Sequence, residues 1–337
     1  MLDCARQDYV TRAKLYQRAA IYSAVTFMNT DMILILGVTG TGKGQLAFEL
    51  AEAIGAEIIS IDSMKVYRRM DIGTAKPPKE ARERIRYHLI DVVEPSESFS
   101  VGLFLDGALS AIEQIKLRNK PVIAVGGTAL YIKALLYGLF EGPGTDEQIR
   151  SQLRARAERE GLEQLYGELE KVDSAVAERI GHNDAKRIIR ALEVYKITGE
   201  PISSLQQQWN VGSPKHTWTI IGLRREKPNV SSRINNRVKK MLAAGLVDEV
   251  KSLLAEDKPL SEQARCAIGY AEIIDYLNGR ISLEDAAELI KKNTRRLAKN
   301  QRTWFKTFEN VNWLDIEPEE PAGKIISRTK TLLNTIK

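Results

Sequence analysis

The sequence predicts an α/β fold, a parallel sheet flanked by helices and interrupted by an all-helical insertion domain. From Met32 onward, short runs rich in Ile, Val and Leu alternate with longer stretches of helical periodicity, the pattern of βαβ units. A glycine-rich turn stands between the first apolar run and the first helical stretch. Residues 146–208 lose the alternation and become dense in Glu, Arg, Leu, Ala and Gln, with apolar positions three and four apart, which is helical spacing.

Taken in order, residues 1–31 carry scattered Arg and Lys together with Asp3 and Asp8. They lack the apolar stretch of a secretory signal, and read as a poorly ordered extension or as a start misplaced upstream of Met28 or Met32. Candidate strands follow at Ile33–Leu36, Glu57–Ile61, His88–Val93, Pro121–Val125 and Thr217–Leu223. The helical insertion spans 143–214, opened by Gly142-Pro143-Gly144 and closed near Gly212-Ser213-Pro214, both breaker clusters. Residues 32–142 and 215–337 then form the core. After the fifth strand the chain reads as helical up to an acidic, proline-containing segment at Glu317–Pro321.

Composition narrows the function classes. The chain has 337 residues, 43% hydrophobic and 28% charged, which is the balance of a globular protein of about two domains and excludes a fibrous or disordered one. Fifty basic against 44 acidic residues leave a net charge of +6, compatible with a polyanionic partner. Cys4 and Cys266 are far apart, so neither a disulfide framework nor a paired-cysteine metal motif is expected, and a reducing, cytoplasmic setting fits. The longest apolar runs, such as Met32–Leu36, fall well short of the roughly 18 residues of a membrane span.

The turn after the first strand reads Gly37-Val38-Thr39-Gly40-Thr41-Gly42-Lys43-Gly44 and leads into the helix-like Gln45-Leu46-Ala47-Phe48-Glu49-Leu50. This is G-x-x-x-x-G-K in a strand-loop-helix context, which makes the sheet a P-loop parallel sheet. The glycines let backbone N–H groups turn toward phosphate oxygens, and Lys43 reaches the outer phosphates. The motif fails at its last position, where Gly44 replaces the Ser or Thr whose hydroxyl binds Mg²⁺. A dinucleotide loop fits less well, because G-x-G-x-x-G is absent and Lys43 would have no role in it. Kinases, ATPases and diphosphate-releasing transferases all remain open.

The second strand delivers Asp62-Ser63 to its carboxyl end, the edge at which open α/β sheets bind ligands. Asp62 there is either a general base or a local cap. The segment from Met64 through Lys65 to Pro77 reads as a polar, basic loop without an apolar face, suited to a large ligand. In the last third, Lys291, Lys292, Arg295, Arg296, Lys299, Arg302 and Lys306 stand among residues 291–306 with no acidic one, next to Trp304 and Phe305. Such a helix can neutralise backbone phosphates while its aromatics stack on unpaired bases; it can equally be a solvated face with Trp304 and Phe305 in the core, the reading favoured for those two rings.

D-S-x-x-x-Y from Asp62 to Tyr67 and Asp71-Ile72-Gly73-Thr74-Ala75-Lys76-Pro77, downstream of this loop, resemble the tRNA dimethylallyltransferase family. The resemblance continues through His88-Leu89-Ile90-Asp91, Gly126-Gly127-Thr128-Ala129-Leu130-Tyr131, Asn183-Asp184, Arg190-Ala191-Leu192-Glu193, Arg233-Ile234, Ala267-Ile268-Gly269-Tyr270, Thr294-Arg295 with Gln301, Thr303-Trp304-Phe305 and Trp313-Leu314-Asp315. It therefore covers nearly everything from residue 33 to 315. It implies transfer of a dimethylallyl group from dimethylallyl diphosphate to N6 of tRNA adenosine 37, with Mg²⁺ and loss of diphosphate, by a monomer.

On that resemblance, Gly37 to Gly44 hold the diphosphate with Lys43, and Arg233 and Arg237 assist. Asp62 is the base and Thr128 touches the acceptor. Ser63, Met64, Lys65, Arg150, Lys186, Arg187, Arg190, Lys299, Arg302 and Lys306 join Asp62 and Thr128 in meeting tRNA, and the insertion clasps the anticodon arm. Arg233 and Arg237 are also consistent with an exposed helix face at four-residue spacing. The sequence departs from the family pattern at Gly44, at Val38 and Gly40, and at Lys65, Ala271 and Asn300. Three other readings stay open: a tRNA-binding protein with a degenerate loop, an adenylate isopentenyltransferase, and a small-molecule kinase.

Overall fold

A computed structural model of the chain describes residues 32–139, 142–206 and 217–336. The extension at residues 1–31 and the boundary at Gly212-Ser213-Pro214 lie outside the described residues. Six strands, β1 (Met32–Gly37), β2 (Glu57–Ile61), β3 (Tyr87–His88), β4 (Val122–Gly126), β5 (Thr219–Arg224) and β6 (Val311–Asp315), form one sheet in the order β3-β2-β4-β1-β5-β6. Every neighbouring pair is parallel, as the alternating pattern predicts. β1 is buried at all six positions, as a central strand covered on both faces must be.

The helices are α1 (Lys43–Ile54), α2 (Lys79–Arg84), α3 (Val101–Leu117), α4 (Ala129–Tyr137), α5 (Glu147–Glu160), α6 (Leu162–Val172), α7 (Ser174–Ala177), α8 (Ala185–Thr198) and α9 (Ile202–Gln206). After β5 come α10 (Lys227–Ala243), α11 (Leu246–Leu254), α12 (Glu262–Arg265), α13 (Tyr270–Leu277), α14 (Leu283–Phe305) and α15 (Ala322–Thr335). In α1, Leu46, Ala47, Leu50, Ala51 and Ile54 form one buried stripe against Ile33, Ile35 and Ile123 of the sheet, and Leu333 of α15 belongs to the same cluster. Gly55, at φ 70, ends the helix in the left-handed region, where only glycine is unstrained. Two compact units result, Met1–Leu136 with His216–Lys337, and Tyr137–Lys215. The second has its own core of Leu153, Leu165, Leu169, Ile188 and Leu192.

Three sequence expectations are corrected. The strand expected over His88–Val93 stops at His88, because Leu89 and Asp91 take φ 61 and 56, a left-handed conformation no strand contains. The chain turns back instead, and the amides of Asp91 and Val92 donate to the carbonyls of Lys65 and Val66 at 3.2 and 2.8 Å. The loop after β2 does have an apolar side, since Val66, Tyr67 and Met70 are fully buried. β6 was not expected; Asn312 and Asp315 interrupt its apolar pattern, and the strand is only half buried. Gly222 of β5 makes room for it, because a Cβ there would stand 2.4 Å from the Trp313 ring.

At the amino end of the sheet, buried Glu57 accepts from His88 Nε2 at 2.8 Å and from Arg118 Nε and Nη2 at 3.0 and 2.7 Å, with Lys120 Nζ at 3.2 Å. Burial alone would raise the Glu57 carboxyl, but the bonds from Arg118, His88 and Lys120 outweigh it and hold the pKa at about 2. The folded value lies below the unfolded one, so this contribution is complete above about pH 4.5 and is lost as pH falls toward 2. Glu57→Gln should cost about 1–2 kcal/mol at neutral pH, because the buried side chain then turns an N–H group toward the donors of His88, Arg118 and Lys120. It should also flatten the acid limb between those values in a urea-unfolding series taken across pH. An acid limb identical to that of the unsubstituted protein would contradict the assignment.

Candidate active site at the carboxyl edge of the sheet

Strand register decides which residues meet. Leu36 and Ile61 both pair with Gly126, and Gly37 pairs with Leu223, so the chain after β2, β4, β1 and β5 emerges in one row. The approach at Gly126 is so close that a Cβ would lie 1.9 Å from the Ile61 carbonyl oxygen. Two loops therefore sit side by side, Gly37–Gly44 after β1 and Gly127-Thr128 after β4, with Asp62-Ser63 next to the second.

The first loop has the shape of an anion cradle. Gly40 and Gly42 take φ 87 and 97, closed to ordinary side chains, and Gly42 leads directly into α1, whose amino end favours negative charge. Thr41 is buried and donates its hydroxyl to the Val38 carbonyl at 2.8 Å. Lys43 Nζ lies 3.4 Å from the same carbonyl. From α10, Arg233 Nε donates to the Gly40 carbonyl at 2.6 Å and Arg237 Nη1 to Thr39 Oγ1 at 3.2 Å. Both arginines thus belong to the cradle and not to a bare solvent face.

The electrostatics are one-sided. Lys43, Lys65 and Arg237 all act on one another, and Asp62 is the carboxylate among them. Burial, followed by repulsion from Lys65 and Arg237, pushes the Lys43 ammonium down to about 7, against a smaller opposing pull from Asp62. Burial lowers Lys65 and Arg237 as well. Such a crowd of cations is costly without an anion and becomes favourable once phosphate oxygens arrive.

Asp62 Oδ1 accepts from the amides of Met64 and Lys65 at 2.9 and 3.2 Å. The local-cap reading is therefore realised on one oxygen, in an Asx turn, and it fixes the direction of the other. Thr128 Oγ1 accepts from the Ser63 amide at 3.2 Å, and the Thr128 amide points to the Ile61 carbonyl at 3.4 Å. Asp62, Ser63 and Thr128 are thus held as one unit beside the cradle.

Several residues that organise the site are given no functional role by the sequence, although Gln301, Tyr270 and Lys76 lie in the stretches that resemble the family. Gln301, 8% exposed on α14, accepts from the Thr39 amide at 2.8 Å and donates to the Gly127 carbonyl at 2.8 Å. Arg225, just beyond β5, donates to the Thr41 carbonyl at 3.0 Å and to the Glu317 carbonyl at 2.6 Å. Glu249 of α11 accepts from the amides of Asp71, Ile72 and Gly73 at 2.9, 2.7 and 3.1 Å and from the Tyr270 hydroxyl at 2.6 Å. Lys76 is buried against Asp71 and Asp91, with Arg82 on the far oxygen of Asp91. Asp71 to Lys76, expected from the sequence to meet a ligand, is thus largely spent on holding its own fold.

The expected tRNA-facing residues separate into two groups. On α14 Lys299 is exposed and Arg302 partly so, and Lys306, at its C-terminal cap, is exposed. Phe305 is buried as expected, but Trp304 is 37% exposed, which corrects its assignment to the core. In the helical unit Lys186 and Arg187 are exposed, and Arg187 reaches Asp184 at 3.4 Å. Arg150 and Arg190 of the same unit grip the fully buried Glu193 at 3.0 and 2.7 Å. Arg190 also donates to the carbonyls of Pro143 and Gly144 at 2.8 and 3.2 Å. Among the described residues no group of three or more His, Cys, Asp or Glu is placed to hold a metal ion. No helix there is long and apolar enough to cross a membrane.

Residues 65–308 match the family model described as IPP transferase, and residues 30–99 the one described as isopentenyl transferase. The tRNA dimethylallyltransferase of Geobacter metallireducens is 44% identical over 304 residues, spanning 90% of this chain and 97% of the relative. The crystal structure of the full-length tRNA isopentenylpyrophosphate transferase of Bacillus halodurans is similar with a TM-score of 0.66 at 38% identity, covering 90% of this chain and 95% of that one. A eukaryotic dimethylallyltransferase acting on tRNA is similar with a TM-score of 0.72 at 30% identity, covering 84% of this chain and 73% of that one.

The cradle's charge state predicts a pH dependence. Lys43 is charged below about pH 7 and loses its proton above it, whereas a bound diphosphate favours the charged form, so binding above pH 7 must take up a proton. Relative to Lys43→Arg, whose charge does not titrate, affinity for inorganic diphosphate should weaken by up to about tenfold per pH unit above 7 and not at all below it. Calorimetric titrations from pH 6 to 9 check this. A ratio independent of pH would contradict it.

Proposed function

The chain belongs to the IPP transferase family, the tRNA dimethylallyltransferases, and from that premise we propose how its own residues perform prenyl transfer to tRNA. Dimethylallyl diphosphate is the donor and N6 of adenosine 37, beside the anticodon, is the acceptor. The observation that carries this reading is the placement of a diphosphate cradle and an oriented carboxylate on one sheet edge, with Thr128 fixed beside the carboxylate.

The diphosphate lies along Gly37–Gly44, where Lys43, Arg233 and Arg237 neutralise the charge that grows as it departs. Arg suits this because its planar fork meets two phosphate oxygens at once. The adenosine enters from the Asp62 and Thr128 side. As N6 bonds to C1 of the allyl group, the bond from C1 to the diphosphate oxygen breaks and the N6 proton passes to the outer oxygen of Asp62. The products are N6-dimethylallyladenosine and diphosphate. The inner oxygen of Asp62, held by the Met64 and Lys65 amides, keeps the base aimed.

Mg²⁺, which accompanies diphosphate chemistry, finds no set of side-chain ligands in the cradle. Gly44 has no hydroxyl, and that of Thr41 is buried and turned onto Val38. Lys65, close enough to Lys43 and Arg237 to act on both, adds positive charge beside the cradle.

On the RNA side, Lys299, Arg302 and Lys306 neutralise backbone phosphates and exposed Trp304 offers a stacking face. Lys186 and Arg187 do the same from the helical unit, which contacts the anticodon arm. Arg150 and Arg190 act there indirectly, by fixing the start of α5 through Glu193. The protein works as a monomer in the cytoplasm, where its tRNA substrate is found.

The experiment that tests this reading is incubation with labelled dimethylallyl diphosphate, Mg²⁺ and a transcribed tRNA, followed by nucleoside analysis. Label should appear in adenosine and vanish when position 37 is guanosine. No product despite measurable tRNA binding would instead favour a degenerate phosphate loop. Asp62→Ala should lower turnover by at least about 10²-fold with tRNA affinity nearly unchanged; an unchanged rate removes Asp62 from the chemistry. At Gly44 a Cβ would meet nothing within 4 Å, so Gly44→Thr should fold normally and lower the Mg²⁺ concentration that half-saturates diphosphate binding. An unshifted midpoint would mean that the metal is held wholly by other groups.

A further inference from the structure

The Gln301 side chain bonds to both halves of the site at once. Its carbonyl oxygen receives the Thr39 amide of the cradle, and its amide nitrogen donates to the Gly127 carbonyl, one residue before Thr128. Both bonds are 2.8 Å long, and the side chain is 8% exposed, so water does not compete for them. Gly127 is shaped to this contact: a Cβ there would stand 2.5 Å from Gln301 Nε2. The cradle end is fixed a second time, because Arg237 donates to Thr39 Oγ1. The acceptor end is fixed likewise, because Thr128 and Gly127 both donate to the Ile61 carbonyl beside Asp62.

We propose that Gln301 is a positioning residue that sets the distance between the diphosphate cradle and the Asp62–Thr128 pair, so that the leaving group and the base stay in register. This rests on the prenyl-transfer reading above. A primary amide suits the task because it presents one acceptor and one donor about 2 Å apart, matched here to one backbone N–H and one backbone C=O. Removing it leaves the buried Gly127 carbonyl and the part-buried Thr39 amide without this partner, and each then seeks a new one by moving its loop.

Gln301→Glu separates positioning from general support. Protonated, the carboxylic acid copies the amide, its carbonyl accepting from Thr39 and its O–H donating to Gly127. Ionised, it has no donor for Gly127 and places a negative charge beside the cradle. Burial raises such a carboxyl and the Arg237 guanidinium on the same Thr39 lowers it, so Gln301→Glu should be least active at pH 8.5, where it is most ionised, and should recover as pH falls to 5.5.

Gln301→Ala should weaken inorganic diphosphate binding about tenfold and lower kcat further. Gly127→Ala should do the same, and the double variant should be no worse than the more damaged single one, since both break the shared Gln301–Gly127 contact. Wild-type diphosphate binding and kcat for Gln301→Ala, or strictly additive losses in the double variant, would overturn the proposal. These measurements stand apart from the reading on which the proposal rests. Failure of the wild-type protein to bind diphosphate would defeat that reading itself, whereas wild-type behaviour of the variants defeats only the role of Gln301.

Discussion

Four parallel strands, β2, β4, β1 and β5, end in one row, and two of them approach so closely that only glycine fits at position 126. This close approach places a carboxylate from one loop beside the phosphate cradle of another. It follows from buried backbone hydrogen bonding, which cannot slip by a residue without turning every side chain to the opposite face. The near-continuous apolar runs of β1 and β2 supply the energy that holds the register. Glu57, at the far end of β2, pins the sheet from the other side.

The polar loops around the site are stiffened by a second tier of contacts. Glu249 gathers three successive amides of Asp71 to Gly73, and the Tyr270 hydroxyl caps the same carboxylate. Lys76 closes that loop from below through Asp71 and Asp91. Arg225, Arg233 and Arg237 tie the cradle's own carbonyls and the Thr39 hydroxyl to β5 and α10. A cradle that binds a highly charged leaving group gains from being rigid before the ligand arrives, because no reorganisation is then required during the reaction.

Local pattern made the strand-loop-helix at Ile33–Leu50, the acid at the end of β2 and the helical unit legible, since each is encoded within a few tens of residues. The contacts that complete the site are not local. Gln301 lies 262 residues from Thr39, and Glu249 lies 176 from Gly73; no periodicity links such positions. β6 escaped notice because an edge strand needs only one apolar side and Asn312 and Asp315 mask it. The strand expected after His88 fails for a different reason, since two left-handed residues break a run whose composition is otherwise apolar. Arg150 and Arg190 read as free cations in the sequence, and folding spends both on Glu193.

In the proposed reaction Gly37–Gly44 hold the leaving diphosphate while the outer oxygen of Asp62 faces the attacking N6 of the adenosine. A crystal structure with inorganic diphosphate tests it most directly. Phosphate oxygens should lie along Gly40–Lys43, within hydrogen-bond reach of Lys43 Nζ and the Arg233 and Arg237 guanidiniums. Asp62 Oδ1 should keep its two amide donors while its other oxygen remains clear of the ligand. Diphosphate bound away from that loop, or a carboxyl of Asp62 turned onto the phosphates, would contradict it.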